Sequence, residues 1–480
     1  MKFSILDLGR KTLIMDRENG KWAMVPSTVS PMLKLIPMPE HLVPEDLRGR
    51  REALSERLFE AGVGGAAYEA PRSLTTLILK ITKVCNYRCQ YCYDMEPDDK
   101  MVHLPYEIAL SAVAEALRIV ERRTERPDKP DLAIILHGGE PTLFFGFIKK
   151  LVLETEQLAS SLGKKVLFAG QTNASRINQD MVDFSTEHRL NWGISIDGPA
   201  SINDRFRVLA DGDGTYGDFE RALREFPEFV RNCGILTTVT ANNQDQLLMI
   251  ARHFRDLGFT TWDWSLFQAI GAARGQCDRF GFSIERVVSS WNRLFDAVEG
   301  GEFAGFQVKP LTDYLHNFIL GPGSNMCMRQ NCGAARDLLS VSSDGSIEAC
   351  DCIDRKGPLG NLGLVQIGTS TSLQRALVSE KAQMIRSREV KTGMCGECIW
   401  LPLCGGTCLA HAGSLHGVYD TQCRLAMNAF QRIATSIAES DNLRRYWNSL
   451  YVKSNGNSGK TVEHTPGDLQ SCAIAGQTEG

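Results

Sequence analysis

The sequence predicts an α/β protein: a partial (β/α)6 barrel, preceded by a small α+β unit and followed by a cysteine-rich domain. Two observations predict the barrel. From about residue 74, short β-branched apolar runs alternate six times with stretches of helical periodicity, which implies a parallel sheet with crossover helices. Polar or glycine-rich turns close these runs, and in such folds strand ends gather on one rim where sites form. A third observation sets the rest apart: after about residue 320 the alternation stops, and cysteines crowd residues 327–423.

In 1–70, "SILDLGRKTLIMDRENGKWAMVP" reads as two strands around a Glu18-Asn19-Gly20 turn, and "EDLRGRREALSERLFEAGV" as a helix ending before Gly64 and Gly65. In 71–320, the strands are "LTTLILKIT", "DLAIILHGGEP", "KVLFAGQTNAS", "LNWGISIDGP", "GILTTVTANN" and "TTWDWSLFQAI". The helices between them follow Leu104 and lie near 146–162, 177–189, 216–231 and 244–257. The rim should then carry Cys85, Gly138-Gly139-Glu140, Thr172-Asn173, Ser195 to Asp197 and Thr240 to Asn242. Residues 321–452 hold the cysteine field and a closing helix. The polar, Gly/Ser-rich 453–480 is expected to be disordered.

At 480 residues the chain should form two to four domains. A formal charge of −4 and no broad basic face argue against nucleic acid. No apolar run approaches the roughly 20 residues of a membrane span, and the start lacks a secretory signal, so the expected address is cytoplasmic. Fifteen cysteines are many for a reducing compartment. All but Cys233, Cys277, Cys352 and Cys472 fall in tight spacings, which favours metal ligation over the alternative of disulfides.

Cys85, Cys89 and Cys92 form C-x3-C-x2-C within "VCNYRCQYCYD". Three thiolates at this spacing can face one four-iron cluster and leave one iron without a protein ligand. A structural zinc would normally close with a fourth ligand, and Met95 and the nearby carboxylates are poor candidates. An open iron can chelate an amine and a carboxylate, as the amino-acid end of S-adenosylmethionine offers.

This stretch, with Tyr91 before its last Cys and a strand before its first, resembles the signature of the radical S-adenosylmethionine superfamily. "HGGEP" is similar to that family's GGE motif, and the resemblance implies that Gly138, Gly139 and Glu140 hold the methionyl amine. "QTNAS" and "SIDGP" resemble its later strand motifs, implying ligand contacts by Asn173, Ser195 and Asp197, with backbone around Tyr93 at the adenine. Singly, GGE is more often a turn than a site, and "SIDGP" an ordinary strand end; their order, one per strand, gives them weight. His137 reads as a packed strand-end residue, Arg207 as a solvated helix-cap charge, and Asp94 and Asp354 as surface charges.

The later cysteines resemble the seven-cysteine SPASM pattern found in some of these enzymes, with Cys327 upstream as an eighth ligand. The family's interleaved ligation implies Cys327, Cys332, Cys350 and Cys408 on one four-iron cluster and Cys395, Cys398, Cys404 and Cys423 on another. Zinc is the alternative for these spacings, and Cys352 is an extra thiol nearby. Three [4Fe-4S] clusters are therefore expected, one binding S-adenosylmethionine and two auxiliary. Asp351 stands where the sulfatase-maturating members carry a substrate base; its alternative is a solvated loop Asp.

The resemblance implies a maturase that forms a 5′-deoxyadenosyl radical and modifies a residue of a ribosomal peptide or small protein, most often by a thioether or carbon–carbon cross-link. Formylglycine formation on a sulfatase is the second expectation. A non-enzymatic electron-transfer or zinc-scaffold protein is the third, against which the GGE turn and the unclosed Cys85 site argue. An external donor such as flavodoxin or ferredoxin is implied as partner. The 1–70 unit resembles leader-peptide recognition domains, which capture a precursor by strand addition; its alternative is a packing extension of the barrel.

Overall fold

The computed structural model describes residues 3–69, 73–95, 102–122, 129–323, 325–329, 332–388, 390, 394–412 and 419–452. The expected tail, 453–480 with Cys472, lies outside the described residues.

The N-terminal unit has three strands where the sequence suggested two. The first run breaks into β1 (Phe3–Asp7) and β2 (Lys11–Asp16), because Gly9 turns the chain at φ +84° with its N–H on Asp7 Oδ1 at 2.9 Å. Across the Glu18-Asn19-Gly20 turn, β2 pairs with β3 (Trp22–Pro26), and all three strands are antiparallel. Alternation gives this sheet two dry faces. Ile14, Ala23 and Val25 pack with Leu54 and Leu58 of the helix Glu45–Glu60, while Leu13, Met15, Trp22 and Met24 join the main core.

The main sheet has ten strands. The six expected parallel strands are β4 (Thr76–Thr82), β5 (Leu132–Gly138), β6 (Val166–Thr172), β7 (Asn191–Ser195), β8 (Gly234–Val239) and β9 (Thr261–Leu266), each beside the next. Helices cover them, as Tyr106–Ile119 does by burying Ala109, Ala112, Val113, Ala116 and Leu117. Two expected helices are split. Near 216–231, Pro227 removes a backbone donor and leaves Tyr216–Glu225 and Pro227–Arg231. The closing helix breaks into Asp420–Glu439 and Asn442–Val452.

Four further strands extend the sheet. β10 (Gln307–Val308) continues beyond β9, and β11 (Leu338–Val341) runs parallel to β4 on its other side. β12 (Ser346–Glu348) and β13 (Asn361–Leu364) follow antiparallel. The segment carrying Cys350 thus continues from a strand next but one to β4, which leads into the Cys85 loop. Among the described residues no helix is long and apolar enough to cross a membrane.

Candidate active site

One cavity of about 530 Å³ joins the two cysteine regions. Cys85, Cys89 and Cys92 line it from β4's end, and Cys327, Cys408, Asp351 and Cys352 from the C-terminal region. Between them it is walled by His137, Gln171, Asn173, Ser195 and Thr238. On the fifth expected strand end, Thr238 lines this cavity rather than the expected Thr240 to Asn242: Asn242 Nδ2 donates away from it, to the Ile202 carbonyl at 3.1 Å.

The first cysteine loop is held by backbone. Arg88 and Gln90 donate to the carbonyls of Val208 and Phe206 at 2.7 and 2.9 Å, and Ala272 N–H donates to the Cys92 carbonyl at 2.8 Å. Gly271 is required there: at φ +61°, a Cβ would stand 2.3 Å from that same carbonyl oxygen. Burial pushes the Cys85 and Cys89 thiols up to about 12. Such thiols stay protonated at neutral pH unless a bound cation restores the thiolate. Three of them opening on one cavity fit an iron–sulfur cluster with a side free for a ligand.

The GGE turn is built against that loop. A Cβ on Gly138 (φ +118°) would lie 2.5 Å from the Thr82 oxygen, and one on Gly139 2.3 Å from the Val84 oxygen. The close approach that needs glycine is therefore between two backbones, a constraint the sequence reading had assigned to a ligand. Glu140 is buried, and its Oε1 accepts from Thr172 Oγ1 (2.8 Å), Thr142 N–H (3.1 Å) and the Thr142 hydroxyl. Its Oε2 accepts the Asn173 N–H at 2.7 Å. Three of these bonds fall on Oε1 and one on Oε2, which leaves Oε2 a lone pair for an amine. Glu140 in turn fixes Asn173, whose Nδ2 reaches Asn86 Oδ1 at 3.0 Å. Gln171, two residues before Asn173 and on the same face, donates to Ser195 Oγ at 2.8 Å. Strand alternation could have found it.

Four residues differ from expectation. Arg207 is buried, not solvated: its Nε lies 3.1 Å from Asp197 Oδ1 and its guanidinium 5.4 Å from the Tyr91 ring centre. Asp197 does not line the cavity, because its carboxylate is taken by Arg207, by Tyr91 Oη and by Thr238 N–H at 3.0 Å. Asp94 is also buried rather than on the surface, 3.0 Å from Lys80 and 3.1 Å from Lys83. His137 does more than pack: it lines the cavity beside Tyr93, whose Oη is 3.4 Å from its ring nitrogens, and burial lowers its pKa. Asp354 stays partly exposed, paired with Arg274 at 2.8 Å.

Asp351 faces the cavity rather than solvent. The Tyr93 hydroxyl donates to its Oδ2 and the Cys350 thiol to its Oδ1, both at 3.4 Å. Lys80 holds its carbonyl at 3.1 Å. A carboxylate thus stands beside the residue that follows Cys92.

The remaining thiols fall into two groups. Desolvation of its thiol, then the neighbouring thiols of Cys350, Cys408 and Cys332, hold the otherwise exposed Cys327 well above the ordinary range. Burial, then Cys404, Cys395 and Cys398, push Cys423 up to about 12. Cys352 neighbours the first group, through Cys350. Among the described residues only Cys350, Asp351 and Cys352 bring three ligand atoms within 4.8 Å of one another. Tetrahedral zinc, with bonds of about 2.3 Å, needs its sulfurs about 3.8 Å apart. Among the described residues no three thiols of either set lie within 4.8 Å of one another.

The Radical SAM superfamily model matches residues 79–254. The Clostridium perfringens cysteine-type anaerobic sulfatase-maturating enzyme is 26% identical over 341 residues, covering 70% of this chain and 88% of the relative. A pre-heme d1 synthase of Dinoroseobacter shibae is 26% identical over 370 residues, covering 71% and 83%. The solved structure of native anSMEcpe with bound AdoMet superposes with a TM-score of 0.63 at 21% identity, covering 80% of this chain and 100% of that one. Streptococcus suis SuiB bound to precursor peptide SuiA gives 0.52 at 15% identity, covering 87% and 97%. Those two likenesses are likenesses of fold. With three thiols open to a cavity and the superfamily match laid over that same region, residues 79–254 form a radical S-adenosylmethionine enzyme domain, and a cysteine-rich region follows it.

Proposed function

We propose that the chain oxidises a residue of a ribosomally made peptide or small protein, joining two side chains by a thioether or carbon–carbon bond. The observation that carries this reading is the single cavity shared by the Cys85 loop and Asp351. S-adenosylmethionine on a reduced four-iron cluster supplies hydrogen-atom abstraction. Cys85, Cys89 and Cys92 would hold that cluster, and Gln171, Asn173 and Ser195 offer the polar groups that orient its ligand. Asp351 would accept the proton released as the substrate is oxidised. The two C-terminal sets would hold auxiliary clusters, with flavodoxin or ferredoxin as external donor.

The N-terminal sheet supports a peptide substrate. β1 is an edge strand with Ile5 55% exposed, a surface to which an extended leader can add. The opposite face of that sheet packs into the main core, so the unit also serves as an extension of the barrel.

Formylglycine formation on a sulfatase is a second reading, favoured by the names of the anaerobic sulfatase-maturating relatives. Mass spectrometry separates the two. The reconstituted enzyme is given S-adenosylmethionine with either a short peptide encoded beside its gene or a Cys- or Ser-containing sulfatase peptide. Loss of two hydrogens from the first, without an aldehyde, supports the cross-link. A hydrazide-reactive aldehyde on the second supports formylglycine, and no change in any peptide overturns both.

A further inference from the structure

Arg388 follows the helix Glu380–Arg386 and is 5% exposed. Its guanidinium forks onto one short peptide: Nη1 donates to the Thr407 carbonyl at 3.0 Å and Nη2 to the Gly406 carbonyl at 3.1 Å. That peptide connects Cys404, of one cysteine set, to Cys408, of the other. Its three intervening residues all have positive φ: Gly405 +69°, Gly406 +84° and Thr407 +69°. Two glycines tolerate this, but a β-branched threonine does so only when its surroundings hold it. Arg388 grips that residue's carbonyl, and its hydroxyl accepts the Tyr419 N–H at 3.0 Å.

The charge is as informative as the fork. Burial pulls the Arg388 pKa below its ordinary value, while Cys332 and Cys408 of one set, then Cys404 and Cys395 of the other, act against that pull. The guanidinium therefore has thiols of both sets as electrostatic neighbours. A guanidinium keeps its proton in proteins, so it is a fixed cation on the peptide that joins two sites, each of which gains one negative charge on reduction. Net charge and hydrogen bonding are what set iron–sulfur potentials. A cation against both sites stabilises both reduced forms, and so lifts both potentials without opening a gap between them.

We propose that Arg388 is a positioning residue shared by the two C-terminal cysteine sets: its fork fixes the Cys404–Cys408 bridge, and its buried charge raises the one-electron potentials of both clusters together. This rests on the reading that both sets hold iron–sulfur clusters.

The test uses the full chain, anaerobically reconstituted, as wild type, Arg388→Gln and Arg388→Lys. Iron and sulfide are counted, and redox titrations are followed by electron paramagnetic resonance. Iron at the Cys85 site alone in the wild type would overturn the cluster reading itself. With clusters present, both auxiliary sites of Arg388→Gln should become at least tenfold harder to reduce, about 59 mV for one electron. Arg388→Lys keeps the charge and should retain wild-type potentials, and the Cys85 site should be unmoved in both. Unchanged potentials in Arg388→Gln, a shift at one site only, or an equal fall in Arg388→Lys would overturn the proposal. Either variant loading iron at the Cys85 site alone would support the fork's role in fixing the bridge and overturn the role given to the charge.

Discussion

Lys80 Nζ lies 3.0 Å from Asp94 Oδ1, and neither side chain is more than 5% exposed. The pair joins β4 to the segment that leaves Cys92. The same ammonium lies 3.3 Å from Glu348 of β12 and donates to the Asp351 carbonyl at 3.1 Å. Burial opposes its charge, yet Asp94, Glu348 and Asp351 outweigh that and raise its pKa. One lysine thus ties the first cysteine loop to the loop of Cys350.

Removing it leaves buried carboxylates with a partner missing. Lys80→Met should destabilise the chain by about 3–5 kcal/mol, the usual cost of breaking a buried pair from one side. Lys80→Arg should cost less, since the charge remains. Urea midpoints of the two variants, compared under one reconstitution state, check this; equal midpoints for wild type and Lys80→Met would refute it.

Gly271→Ala should loosen the first cysteine loop. The added Cβ meets the Cys92 oxygen at 2.3 Å, backbone rather than a movable side chain, and φ is +61°. Strain of this kind costs about 1–3 kcal/mol. The expected result is less iron bound at the Cys85 site with the C-terminal irons kept. Iron analysis together with the spectral change on adding S-adenosylmethionine reads both.

How far the sequence reached depends on the range of each signal. The six strands and the C-x3-C-x2-C loop are local patterns, and the structure places them as read. β11 was missed because its four residues, "LLSV", pair with β4 across some 260 positions of chain, and no periodicity announces that contact. Asp94 and Arg207 were misread for a related reason. A charged residue looks solvated in sequence, and only the fold brings Lys80 to one and Asp197 to the other. Gln171 was legible in principle, being in phase with Asn173 on β6's cavity-facing side. Arg388 had no local signal.

The triple variant Cys85/Cys89/Cys92→Ala should separate reaction site from relay. If each cysteine set holds a four-iron cluster, wild type carries about twelve irons and the variant about eight. Reductive cleavage of S-adenosylmethionine should disappear in the variant. Zinc in place of iron, or cleavage that survives the change, would remove the Cys85 loop from the mechanism.

Asp351→Asn should divide cleavage from modification. The carboxylate faces the same cavity as the three cysteines, with Tyr93 Oη at 3.4 Å, so the amide keeps the shape while losing the proton acceptor. A positioned base contributes about 10²–10⁴-fold, and peptide modification should fall within that range. Cleavage of S-adenosylmethionine should persist, since the Cys85 loop is untouched, and more cofactor should be consumed per peptide modified. Measuring 5′-deoxyadenosine and modified peptide in the same reaction gives that ratio. A ratio unchanged from wild type would mean that Asp351 positions the loop and that the substrate's proton leaves by another route.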